Sequence, residues 1–225
     1  MTPAACQRAL RWLLPCLAVV ACQRAPEHGT AGDKPIVEVY APYPPSSLPP
    51  SPPLVRAARR QIGVTVRYDP AYAAMAYPGG DVPSDRGVCT DVIVRALRMQ
   101  GIDLQREIHL DRIAHRAAYP DRHAAIDRSI DHRRVPNQMA WFRRQGWDRP
   151  FTRQAGDYRP GDIVAWKLSG SGLLHIGVVS DRKTSTEVPL VIHNIGSGTQ
   201  EDDILFRHAI IGHYRPRLPS TAERM

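Results

Sequence analysis

Gly87-Val88-Cys89-Thr90-Asp91-Val92-Ile93-Val94-Arg95-Ala96-Leu97 is the stretch whose reading decides the fold. Cys89, Val92, Ile93, Ala96 and Leu97 fall on the i, i+3, i+4, i+7, i+8 series of one helical face. An amphipathic helix is expected there, stopping near Gly101. Asp85 or Gly87 is the expected cap of its first turn. Cys89 then stands at the positive end of the helix dipole, which favours thiolate over thiol. A cysteine so placed is either a nucleophile or a core residue, since free cysteine is among the most buried residue types. The segment by itself favours the core reading; the rest of the chain shifts the balance.

Working outward toward the N-terminus, the 225-residue chain opens on Arg8 and Arg11 followed by an apolar run from Trp12 to Ala21. That run is too short to span a bilayer and reads as a secretory signal over residues 1–21. It ends Val19-Val20-Ala21-Cys22, which resembles the lipobox of bacterial lipoproteins. The resemblance implies lipidation at Cys22; an ordinary cleavable signal is the alternative. Gln23 stands where an aspartate would imply inner-membrane retention, so an exported, periplasmic, outer-membrane-anchored lipoprotein is expected, in contact with outer-membrane lipid. Residues 22–53 carry Pro42, Pro44, Pro45, Pro49, Pro50, Pro52 and Pro53 with few aliphatics, the composition of an extended tether. One folded domain is expected over 54–218, with a tail at 219–225.

Of four cysteines, Cys6, Cys16 and Cys22 belong to the signal or its end, leaving Cys89 as the one thiol of the folded part. Oxidising compartments favour paired cysteines, so a lone thiol in an exported domain is a candidate nucleophile. Removing Arg8 and Arg11 lowers the formal charge from +8 to +6. A basic exported protein suits anionic partners such as lipid headgroups or cell-wall carboxylates. Export, and the lack of any basic-aromatic binding motif, exclude nucleic acid from the expected partners.

Leu54 to Ile62, Leu110 to Ala118 and Pro136 to Gln145 read as further helices, with Val135, Met139 and Phe142 facing the core and Arg143 and Arg144 facing solvent. Val64 to Tyr68 is a short extended piece, and Tyr77 to Pro83 is dense in turn residues. After Pro160-Gly161 the period changes to that of strands, at 162–168, 173–180, 189–195 and 209–214. Helices first and short-linked strands afterwards indicate an α+β domain, its helices packed on an antiparallel meander.

A thiol nucleophile needs a base, and the base needs a group to orient it. Among nine histidines, His28, His109, His115 and His123 lie in polar contexts, whereas His175 and His193 sit on adjacent strands joined across Asp181 to Val188. One imidazole can then accept the Cys89 proton while the other, or Asn194, holds its tautomer. His132-Arg133-Arg134 reads as a carboxylate-binding fork or as a solvated charged loop. Asp91 is placed to contact a substrate amine or the positive helix end. A metal site from His175, His193, His208 and His213 lacks a supporting spacing, so neither metal nor cofactor is expected.

These residues resemble the NlpC-type cysteine peptidases, a papain-like superfamily of bacterial cell-wall hydrolases. The likeness lies in a helix-borne cysteine, a strand led by Pro160-Gly161-Asp162, the strand His175-Ile176-Gly177-Val178, and His193 in Val191-Ile192-His193-Asn194. It implies a papain-like fold, with Cys89 as nucleophile, His175 as base, His193 as orienting residue and Tyr68 in the substrate pocket. Val88 departs from the acid that usually precedes the cysteine, Thr90-Asp91 departs from the usual small residues, and the insertion from Gln100 to Pro150 is long. A second, more extensive likeness is to the YijF-like bacterial family of unknown function. It runs through YPGGDVP at 77–83, GVCTDV at 87–92, IDHRRVPN at 130–137, DYRPGDIV at 157–164 and HNIG at 193–196.

The function expected from these readings is an exported cysteine amidase or peptidase acting on peptidoglycan stem peptides or a related envelope amide. The alternatives are a non-catalytic envelope-binding lipoprotein on the same scaffold, or a cysteine acyltransferase. The helix end and an imidazolium neighbour together predict a low-pKa Cys89 thiol, held so largely by His175.

Overall fold

A computed structural model describes residues 50–218. The signal, Cys22, most of the tether and the tail at 219–225 lie outside the described residues. In chain order the elements are α1 (Pro53–Arg59), β1 (Arg67–Tyr68), β2 (Arg86–Gly87), α2 (Cys89–Arg98), α3 (Leu104–Ala114) and α4 (Val135–Arg144). Then come β3 (Ile163–Lys167), β4 (Leu174–Lys183), β5 (Pro189–Asn194), β6 (Thr199–Asp202) and β7 (Ala209–Tyr214). The domain is mixed α+β. Four helices precede a five-stranded antiparallel sheet of order β6-β5-β4-β3-β7.

The period read in the Cys89 stretch is the one the helix uses. Cys89, Val92, Ile93, Ala96 and Leu97 are all buried. They pack with Leu54, Val55 and Ala58 of α1 and with Ile163, Ala165, Ile176, Val178 and Ile192 of the sheet. Burying each large aliphatic side chain here is worth about 1.5–3 kcal/mol, so this face holds α2 on the sheet. Strand alternation turns Val164, Trp166, Val179 and Val191 to the opposite face, where Tyr158, Ile204 and Leu205 cover them. Trp166 Nε1 donates to Leu205 O at 3.0 Å, satisfying the indole in that second core. At the far end α4 docks through aromatic packing. Phe142 stacks on Trp147 at 5.3 Å and leans on Tyr214 at 5.2 Å.

Three expectations need correction. The helix expected from Leu110 starts at Leu104 and ends at Ala114, with a 3-10 turn over Arg116–Ala118 beyond it. Asp103 caps it by accepting from Gln105 N–H at 3.2 Å. Its inward stripe of Leu104, Gln105, Ile108 and Arg112 contains two polar residues, which hides the period in the sequence. The strands are also more than a meander, because β6 adds an edge and β7 returns to pair with β3. Finally, Pro53, assigned to the tether, is the first residue of α1, where a proline costs no hydrogen bond.

Candidate active site

Neither expected residue caps α2. The N-cap is Val88, in extended conformation and with no side-chain acceptor. Asp91 supplies the missing acceptor from within the first turn, its Oδ2 taking the Val88 N–H at 2.7 Å. The carboxylate is buried and is neutralised by Arg133, with Nε at 2.8 Å from Oδ1 and Nη2 at 2.9 Å from Oδ2. A Cβ on Gly87 would lie 2.9 Å from Asp91 Oδ2, so a glycine is needed for that approach. Asn194 Nδ2 donates to Gly87 O at 3.0 Å and ties the start of the helix to the end of β5. Gln138 of α4 donates to Thr90 O at 3.2 Å and to His132 O at 2.8 Å. The cysteine is thus presented by a helix start held from three directions.

Asp91 is buried and serves the helix end and Arg133. His132 and Arg133 are buried as well, so this segment is neither a solvated loop nor a free carboxylate fork. Arg134 alone of the three is exposed, paired with Asp121 at 2.9 Å.

Cys89 is the free thiol among the described residues and is 4% exposed. It borders a cavity of about 370 Å³ whose walls include Tyr68, Val88, Arg134, Val135 and Leu174. Tyr68 and Cys89 thus share one cavity. The expected low thiol pKa is not what the surroundings dictate. Burial pushes Cys89 up to about 12, and the Asp91 carboxylate adds to the rise. The N–H groups of Ile176, Thr90 and Cys89 itself favour the anion but do not overcome desolvation.

His175 and His193 come together as their strand positions predict. Continuing the register of Val178 with Ile192 sets Gly177 across from His193 and puts the two rings on one face. His175 Nε2 lies 3.1 Å from His193 Nδ1. Gly177 makes this possible, since a Cβ there would sit 2.6 Å from Val191 Cγ1 and 3.1 Å from His193 Cβ. The glycine is a site residue that sequence reasoning passed over, although it stands two residues from His175 in a strand otherwise rich in β-branched residues. Trp166 flanks the His175 ring at 5.8 Å. Burial, then the fields of His193 and His208, push His175 down to about 3, so the ring rests neutral.

The pair does not face the thiol as expected: the strand register turns both rings to the Trp166, Val179 and Val191 face, whereas Cys89 packs on the Ile176, Val178 and Ile192 face. Cys89 approaches β4 from the α2 side, against the Ile176 amide, and makes no hydrogen bond to either ring. β5 ends at Asn194, one residue before the position that would face His175. His109, His115, His123 and His213 take other places. His115 and His123 are exposed, and half-buried His109 packs on Tyr77 at 5.0 Å. His213 bridges Pro150 O and Asp162, at 2.9 and 2.7 Å, in a network that Arg215 completes. Among the described residues no cluster of three or more His, Cys, Asp or Glu side chains is placed to hold a metal. Nor is any described helix long and apolar enough to cross a membrane.

Two of the buried rings give stability a pH dependence. Burial lowers His132 to about 4 and His175 to about 3, against about 6.5 in the unfolded chain. Below pH 6.5 the unfolded state binds more protons, so this contribution is fully present above that value and is lost on acidification. The expected slope is about 1.4 kcal/mol per pH unit for each ring between pH 6 and 4. Urea unfolding at pH 7, 6 and 5 measures it, and His132→Gln should remove one ring's share. Equal stabilities at all three values would show that these rings are solvated.

The chain matches the family described as "Domain of unknown function (DUF1287)" over residues 55–216. It is 54% identical over 160 residues to "Uncharacterized protein YijF" of Escherichia coli (strain K12), a match covering 70% of this chain and 78% of that protein. No solved structure matches it. The family match over residues 55–216 takes in Tyr68, Cys89, His175 and His193. The chain accordingly belongs to the DUF1287 family, with YijF as a relative.

Proposed function

We propose that the domain is an exported cysteine amidase or peptidase acting on peptidoglycan stem peptides or a related envelope amide, on a papain-like, NlpC-type scaffold. The observation that supports this reading best is the free thiol at the start of α2 bordering a pocket, in one domain with the buried His175–His193 pair of β4 and β5, although neither ring lines that pocket. In the proposed reaction Cys89 Sγ bonds to the amide carbon while its proton passes to His175. The N–H of Cys89, at the helix start, is among the donors to the developing oxyanion. His175 returns the proton to the departing amine as the C–N bond breaks. Water then cleaves the thioester, releasing the acid and restoring the thiol. Because both groups rest neutral, proton transfer accompanies attack and no ion pair precedes it.

Mass spectrometry of purified peptidoglycan incubated with the protein tests this. Wild type should release new amine and carboxyl ends, Cys89→Ala none above background, and His175→Ala about 10²–10⁴-fold less than wild type. Transfer to another nucleophile in place of water would appear as an acylated product. The absence of a Cys89–His175 hydrogen bond favours a second reading, a non-catalytic envelope-binding lipoprotein. Unchanged peptidoglycan that nevertheless retains wild type and Cys89→Ala equally would establish that reading instead. Export and anchoring at Cys22 are part of the proposal, carried by the lipobox-like run.

A further inference from the structure

We infer that Asp202 is a positioning residue that sets the tautomers of two buried imidazoles and thereby decides which nitrogen of His175 can take a proton. Its use in catalysis rests on the hydrolase reading above; its geometry does not. β6 pairs with β5 so that Asp202 faces Val191 and Gln200 faces His193. Asp202 is therefore the diagonal neighbour of His193 on the face that carries both rings. Its Oδ2 lies 3.2 Å from His193 Nε2, at ion-pair distance but without hydrogen-bond alignment. That nitrogen is buried and has no hydrogen-bond partner, so the carboxylate is the group placed to satisfy it.

The proton assignment follows from what each atom can do. A carboxylate only accepts, so the hydrogen of His193 belongs on Nε2. Nδ1 is then bare, and at 3.1 Å it accepts from His175 Nε2, which must carry that ring's hydrogen. His175 Nδ1 is left with the lone pair and is the nitrogen free to take a proton. The opposite assignment sets a lone pair of His193 against the carboxylate. It also directs the Nδ1–H of His193 at His175, which leaves His175 protonated on Nδ1 and unable to act as a base. One half-exposed side chain on the sheet edge thus governs a nitrogen two strands away.

The test is a long-range proton–nitrogen correlation spectrum of the ¹⁵N-histidine-labelled chain at neutral pH, assigned with His175→Gln and His193→Gln. Wild type should show both rings protonated on Nε2. Asp202 is 43% exposed, which leaves room for Asp202→Lys. An ammonium donates where the carboxylate accepted, so in this variant both rings should move their hydrogen to Nδ1. Asp202→Ala should gain a detectable population of that second form, and it decides the matter should the lysine variant not fold. A wild-type His193 protonated on Nδ1 would overturn the inference. So would a folded Asp202→Lys, or an Asp202→Ala, with both rings unchanged. No readout here involves Cys89, so loss of the hydrolase reading would leave these tautomers where they are.

Discussion

Arg133→Met should destabilise the domain by about 3–5 kcal/mol, the cost of leaving a buried carboxylate without its counter-charge. Arg133 is 7% exposed and Asp91 2%, and two hydrogen bonds of 2.8 and 2.9 Å join them. Among the described residues Arg133 is the cation paired with Asp91; the Val88 N–H at 2.7 Å is a dipole, not a charge. The double variant Asp91→Asn/Arg133→Met should recover most of the loss, because both charges are then gone. Urea unfolding of the four proteins in this cycle measures the coupling. A loss below about 1 kcal/mol in the single variant would place the pair with solvent-exposed ones, where such values are the rule. The same ion pair holds the turn that carries Cys89, so the proposed hydrolysis should fall with stability in Arg133→Met.

Alkylation of Cys89 by iodoacetamide should be about 10³-fold slower at pH 7 than that of a free thiol. A thiol pushed up to about 12 is almost wholly protonated there, whereas a free one with a pKa of about 8.5 is a few per cent thiolate. The Cys89 peptide, quantified by mass spectrometry against the same chain in denaturant, supplies the reference for an unperturbed thiol. His175→Ala should leave the pH profile in place, since a ring held neutral down to about 3 contributes no charge to it. Rapid reaction at pH 6, lost in a folded His175→Ala, would reveal the ion pair that the helix-end argument expects. In that case burial would be weaker than the 4% exposure of Cys89 indicates. A slow wild type that still cleaves peptidoglycan would show that the proton moves only as the bond forms.

What the sequence determined by itself was periodic. The 3.6-residue spacing of Cys89, Val92, Ile93, Ala96 and Leu97 is a property of neighbours in the chain, and it marks the buried face of α2 without reference to any other element. Alternation within two strands likewise places His175 and His193 on one face, where their rings meet at 3.1 Å. Only the tertiary structure decided what is set by distant partners. The α2 cap uses Asp91, three residues from Val88, but the charge that lets this carboxylate be buried is Arg133, 42 residues further along, and that bond leaves no local pattern. The β6 strand shows no alternation of its own; it forms because β5 offers an edge, and it brings Asp202 to His193. The thiol's charge state was misjudged for the same reason. A helix terminus can be read from a few residues, whereas desolvation depends on everything that packs around the sulfur, and here burial outweighs the dipole.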